Sequence, residues 1–204
     1  MEIIDGRFIP AGNKNLYAKI TGSGAPAIII ETGLGSLSVE WQIIQNELSK
    51  YTTVISYDRA GYGESPTGEK PRSSHQIGVE LFNMLSYSGV PSPYIFIGHS
   101  MGGIYVQHFS IMFPNLVAGV LLADSATVDD DIFNTLEAPV YQQSASLPVR
   151  IKNIEKFLEL EDEEFQETIN KILSNLHSNP NDELGRQLVV YQSDKKLYKT
   201  IIDE

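Results

Sequence analysis

A chain of 204 residues, 42% hydrophobic and 20% charged, is long enough to bury one sizeable core, which excludes the disordered and collagen-like classes. A formal charge of −11 excludes sequence-independent nucleic-acid binding, which needs clustered Lys and Arg, and no stretch approaches the roughly 20 apolar residues of a membrane span. The absence of cysteine removes disulfides, thiol nucleophiles and thiolate metal sites, and a start without a basic and apolar leader places the chain in the cytoplasm as an expectation.

In chain order, Ile3–Ile9 and Leu16–Thr21, separated by Ala11-Gly12-Asn13-Lys14-Asn15, are expected to form an antiparallel pair. The apolar runs Ala27–Ile30, Thr53–Ser56, Tyr94–Ile97 and Ala118–Ala123 are expected as strands buried on both faces. Between them Val39–Leu48, with Trp41, Ile44 and Leu48 at core spacing, His75–Ser88 and Met101–Phe113 carry helical periodicity. This alternation predicts an α/β fold with a mostly parallel sheet and helices on both faces. After Ser125 the β-branched runs largely cease. Asp131–Leu136, Val149–Leu160, Asp162–His177 and Asp182–Ile202 read as mainly helical segments, divided by Pro148 and Pro180. Residues 1–128 hold 10 acidic and 7 basic side chains and residues 129–204 hold 16 and 8, so the change of pattern brings a change of charge. The expected division is a core sheet over 1–125 and an acidic helical unit over 126–204.

The segment most informative about chemistry is Pro93-Tyr94-Ile95-Phe96-Ile97-Gly98-His99-Ser100-Met101-Gly102-Gly103, where an apolar strand runs through Gly-X-Ser-X-Gly into a helix. That is the pattern of a nucleophile elbow: the serine takes a strained turn, and glycines two positions to either side let strand and helix approach. Ser100 is the candidate nucleophile, placed where free helix N–H groups favour developing negative charge. A glycine-rich turn with an incidental serine is the alternative. The strand Ala27–Ile30 ends in Glu31-Thr32-Gly33-Leu34-Gly35-Ser36, an ordinary glycine turn feeding a helix N-cap at Ser36 or Ser38, a role compatible with that of an oxyanion loop. A third loop, Tyr57-Asp58-Arg59-Ala60-Gly61-Tyr62-Gly63-Glu64-Ser65, follows Thr53–Ser56.

Gly-Leu-Gly, Asp-Arg-Ala-Gly-Tyr-Gly-Glu-Ser and Gly-His-Ser-Met-Gly-Gly, each after a strand and in this order, together resemble the α/β-hydrolase superfamily in its esterase- and haloperoxidase-like branch. The resemblance covers residues 1–128 and, more loosely, the helical remainder as a cap inserted after the sixth strand. It implies a Ser-acid-His triad in that chain order, an eight-stranded sheet, and an oxyanion hole built from the backbone N–H groups of Leu34 and Met101. With a serine rather than an aspartate at the nucleophile position, the family's dehalogenase and epoxide-hydrolase branches are disfavoured.

The seventh and eighth strands and the histidine that such a family places after them are not visible in 126–204, so the chain reads as a truncated form. Of its four histidines, His99 is the X of the elbow and is expected to pack behind Ser100. His108 lies about 12 Å along the helix from Ser100, at about 1.5 Å per residue. His75 opens a helix, and His177 would preserve the triad order but ends an amphipathic helix, where the macrodipole favours a histidine anyway. Asp124, at the end of the sixth strand, is a candidate acid, or it stabilises the turn that follows. Asp129, Asp130 and Asp131 read as a helix start and not as a metal site. The implied activity is hydrolysis of a small ester or related acyl substrate without cofactor or metal. The alternative is a non-catalytic binding protein, or a chain completed by a partner. Oligomeric state is not legible.

Overall fold

The computed structural model describes residues 6–126, 147–176 and 183–204. Six strands form one sheet: β1 (Arg7–Pro10), β2 (Asn15–Thr21), β3 (Ala27–Glu31), β4 (Val54–Tyr57), β5 (Tyr94–His99) and β6 (Val117–Ala123). Their order across the sheet is β1-β2-β4-β3-β5-β6. β1 and β2 pair antiparallel, as do β2 and β4, whereas β4, β3, β5 and β6 are all parallel. The apolar runs account for this order, because a parallel strand flanked by helices must be apolar on both faces. Ile29 and Ile55, in the middle strands, have no exposed surface.

The crossovers are α1 (Gln42–Leu48), entered through a 3₁₀ turn at Ser38–Trp41, α2 (Ser74–Tyr87) and α3 (Met101–Met112). One core lies between the sheet and α2 and α3, where Leu81, Met84 and Leu85 meet Val106 and Phe109 over Phe96 and Ile29. Phe109 packs between Phe96 and Phe113, with ring centroids 4.9 and 5.0 Å away.

Two expectations about burial are corrected. α1 buries Gln42 and Gln45, and Ile44 is exposed. Gln45 serves the sheet: its Nε2 donates to the carbonyls of Lys19 and Val54, and its Oε1 accepts from Ser56 Oγ at 2.6 Å. A buried amide that satisfies backbone carbonyls can displace an aliphatic side chain from the inner face. β6, expected to be buried on both faces, is an edge that pairs only with β5 among the described residues. It leaves Leu121 53% and Leu122 47% exposed.

Beyond β6 come α4 (Leu147–Leu158), α5 (Asp162–Leu176), α6 (Glu183–Gln192) and α7 (Lys195–Asp203). The expected mainly helical segment Asp182–Ile202 thus holds two helices, because Asp194 caps a new start, its side chain accepting from the N–H of Lys196. The expected helix Asp131–Leu136 lies outside the described residues, as do Asp129 and Asp130. Phe165 and Ile169 of α5 form a small core with Phe157, Leu160, Val189 and Tyr198. A second cluster joins Leu188 and Leu197 to Leu37, Val39 and Tyr62, so α6 and α7 rest on the loops that follow β3 and β4. Lys196 Nζ adds bonds to the carbonyls of Gly63 and Ser65, and Tyr191 donates to Glu64.

Candidate active site

Ser100 sits between β5 and α3 with φ 51° and ψ −125°. Positive φ is costly for a residue with a Cβ, by about 1–3 kcal/mol, and persists only where the surroundings impose it. Here they do. A Cβ on Gly102 would stand 2.4 Å from the Glu31 carbonyl oxygen, and one on Gly98 would stand 2.7 Å from the Cα of Gly103. The backbone passes these points only because no side chain is present. The Ser100 carbonyl accepts from the N–H groups of both Gly103 and Ala126, each at 3.0 Å, which ties the turn to the end of β6.

The loop after β3 lies beside the nucleophile: a Cβ on Gly33 would be 3.2 Å from Ser100 Cβ. It is a tight turn in which the Ser36 N–H donates to the Gly33 carbonyl and Thr32 Oγ1 to the Ser36 carbonyl. The N-cap alternatives at Ser36 and Ser38 do not form. Instead Glu40 accepts from Leu37 N and Ser36 Oγ, and Asp58 Oδ1 accepts from Ser38 N. Among the described residues the N–H groups of Leu34 and Met101 and the hydroxyl of Ser100 have no hydrogen-bond partner. The two loops thus present free donors beside a free hydroxyl.

Among the described residues, His75, His99 and His108 do not join them. The His99 ring lies tilted at 58° against Trp41 with centroids 5.6 Å apart, and its Nδ1 is buried without a partner among the described residues, 3.1 Å from where a Gly33 Cβ would be. His108 Nδ1 is 2.7 Å from Ser74 Oγ and its ring lies beside that of His75. His177 lies outside the described residues. Asp124 follows β6 with φ 45° and is exposed, and the turn-stabilising bonds expected of its carboxylate are absent among the described residues.

Sequence reasoning missed a buried ionic network under the oxyanion loop. Arg59 Nη1 donates to Glu31 Oε1 at 2.8 Å, to the Thr32 carbonyl at 2.7 Å and to Thr32 Oγ1 at 3.2 Å. Its Nη2 donates to the Gly33 carbonyl at 2.8 Å. From just past the end of α7, the Glu204 carboxylate accepts from Arg59 Nε and Nη2, both at 3.3 Å, from Tyr62 at 2.6 Å and from Tyr105 at 3.3 Å. The Tyr62 ring lies 4.3 Å from the guanidinium carbon, and the Tyr62 oxygen accepts from the N–H of Gly35. Glu31 also accepts from Tyr57.

Burial pushes the Glu31 carboxyl above its usual value, against the opposing pull of Arg59 and Tyr57. Burial acts to lower the Arg59 value, but Glu204, Tyr62 and Glu31 overcome it and hold the guanidinium charged. The phenols of Tyr57, Tyr62 and Tyr105 are raised, chiefly by burial. One signal was available: Glu31 and Arg59 follow the ends of two apolar runs that became neighbouring parallel strands, an arrangement that brings unlike charges together. No group of three or more metal-ligating side chains occurs among the described residues.

Comparison with known proteins gives these features a context. The family model described as alpha/beta hydrolase fold matches residues 26–154. A 3-oxoadipate enol-lactonase 2 of Acinetobacter baylyi is 35% identical over 111 residues, 54% of this chain and 41% of that protein. A probable transporter, efuK, of Hormonema carpetanum is 31% identical over 127 residues, 58% of this chain and 18% of that protein. Among solved structures, a serine hydrolase involved in carbazole degradation, the CarC enzyme, superposes with a TM-score of 0.68 at 18% identity. That match covers 98% of this chain and 68% of the other. The chain spans less than half the length of the curated relatives named here.

Proposed function

Because this chain belongs to the α/β-hydrolase fold family, we propose that it carries the nucleophile and oxyanion side of a serine hydrolase for a small ester or related acyl substrate. The observation that carries the reading is the strained Ser100 at the strand-to-helix turn, its hydroxyl and the nearby N–H groups of Leu34 and Met101 having no partner among the described residues. The Ser100 oxygen adds to the substrate carbonyl, its proton passing to a base, while the two amides bind the oxyanion. The alcohol leaves with a proton, and water then releases the acid from the acyl-serine. No cofactor is called for. The acidic helices after β6 disfavour anionic substrates near the entrance, and the reaction is assigned to the cytoplasm.

None of His75, His99 and His108 is hydrogen-bonded to Ser100. That observation favours a second reading, in which the chain binds an acyl ligand without turnover or is completed by a partner that brings the base. A fluorophosphonate probe separates the two. Labelling that Ser100→Ala abolishes supports the hydrolase reading, labelling that survives Ser100→Ala overturns the assignment of the nucleophile, and no labelling of the unsubstituted chain favours the binding protein.

A further inference from the structure

The geometry points to Arg59 as the positioning residue of the oxyanion loop, an inference that rests on the serine-hydrolase reading. A donor for an oxyanion must be aimed before the charge appears, because reorientation during the reaction forfeits the gain. Aiming the Leu34 N–H means fixing the peptide planes before it. The carbonyls of Thr32 and Gly33 belong to the peptides of Gly33 and Leu34, and since a peptide is planar and trans, holding the Gly33 oxygen on one side sends the Leu34 N–H to the other. Arg59 holds both oxygens, at 2.7 and 2.8 Å, from a position with 1% of its side chain exposed.

The planar fork makes this possible. Nη1 serves Glu31 and Thr32 while Nη2 serves Gly33, and a lysine ammonium in its place cannot match that spread. Glu31 on one side and Glu204 on the other compensate the buried charge, and the Tyr62 and Tyr105 rings flank it. Because Glu204 lies just past the end of α7, the seating of that helix bears on the clamp. Ile201 closes on Gly35, 3.1 Å from where a Cβ there would be, so α7 also rests on the loop itself.

The test follows inactivation of the full chain by a fluorophosphonate, with the limiting rate separated from the concentration dependence. In Arg59→Lys the limiting rate falls on the order of 10²-fold, the cost of losing one oxyanion donor, while the half-saturating probe concentration stays within about twofold. Arg59→Ala falls at least as far, so that the lysine variant sits between it and the parent. Should Arg59→Ala fail to fold, backbone relaxation of the Leu34 amide in the unsubstituted chain gives a second measure: an order parameter near 0.85 marks a clamped loop, and one below about 0.6 overturns the inference. Equal limiting rates in Arg59→Lys and the parent overturn the positioning role and leave the nucleophile assignment standing. No labelling at Ser100 in the parent overturns the hydrolase reading, and the catalytic role of the clamp with it.

Discussion

Alkaline pH should unfold this protein through three buried phenols. Tyr57, Tyr62 and Tyr105 are 4% exposed or less and their hydroxyls resist ionisation, burial being the first cause in each. In the unfolded chain the same groups ionise near pH 10. Above that pH the unfolded state has released protons that the folded state retains, so stability is fully present below about pH 10 and is lost as pH rises beyond it. The slope per phenol reaches about 1.4 kcal/mol per pH unit once the unfolded group is fully ionised, and since ionisation is only half complete at about pH 10 the three together remove about 3 kcal/mol between about pH 10 and pH 11. That is a large share of the stability of a typical domain, about 5–15 kcal/mol, and each further pH unit removes about 4 kcal/mol more while the folded phenols stay protonated. Urea unfolding followed by circular dichroism on both sides of pH 10 measures the slope, and tyrosinate absorbance in the folded protein counts the phenols that titrate early. Tyr105→Phe, which gives up only the 3.3 Å bond to Glu204, should remove about a third of the slope. If tyrosinate absorbance shows all three phenols ionising near pH 10 with the circular dichroism unchanged, the assignment of burial as the dominant cause is wrong.

The elbow and the sheet edge give two further predictions. Gly102→Ala places a methyl 2.4 Å from the Glu31 carbonyl and 2.5 Å from that of Thr32, both backbone atoms that cannot step aside. It should cost about 1–3 kcal/mol in urea unfolding and slow fluorophosphonate labelling of Ser100 more than it lowers stability would explain. Leu122→Lys, on the exposed part of β6, should leave the free energy of urea unfolding within about 0.5 kcal/mol and reduce self-association in sedimentation velocity, since charge on a strand that is an edge among the described residues opposes strand pairing.

Much of this architecture was legible because the requirements are local. The nucleophile turn needs Gly98 and Gly102 where they stand, whatever the rest of the chain does, and a parallel strand must be apolar on both faces, so the strands and their crossovers followed from runs and turns. α1 was misjudged because periodicity counts aliphatic side chains, whereas the inner face here belongs to Gln45, whose value comes from carbonyls on β2 and β4. The break between α6 and α7 was visible in principle as Asp194 before two lysines, a capping signal that a long helical pattern masks. The ionic network was least legible. Its members come from positions 31, 57, 59, 62, 105 and 204, and only the order β4-β3-β5 and the docking of α7 bring them together.

That network also explains how a strained serine and a loop 66 residues earlier can be held as one object. The Thr32 carbonyl is the shared part. Arg59 Nη1 bonds it from below at 2.7 Å, and α3 passes so close that a Cβ on Gly102 would lie 2.5 Å from it. The first turn of the nucleophile helix and the oxyanion loop therefore meet at one peptide, and neither can shift without moving the other. A strain of about 1–3 kcal/mol at Ser100 is affordable in such a setting, because relaxing the turn would break the bonds of Gly103 and Ala126 to the Ser100 carbonyl and disturb a buried guanidinium with two carboxylates around it. Removing one partner of a buried pair costs about 3–5 kcal/mol, more than the strain releases. The energetic balance therefore favours the strained turn, and it is set as much by Arg59, Glu31 and Glu204 around the loop as by the two N–H groups that bond the Ser100 carbonyl.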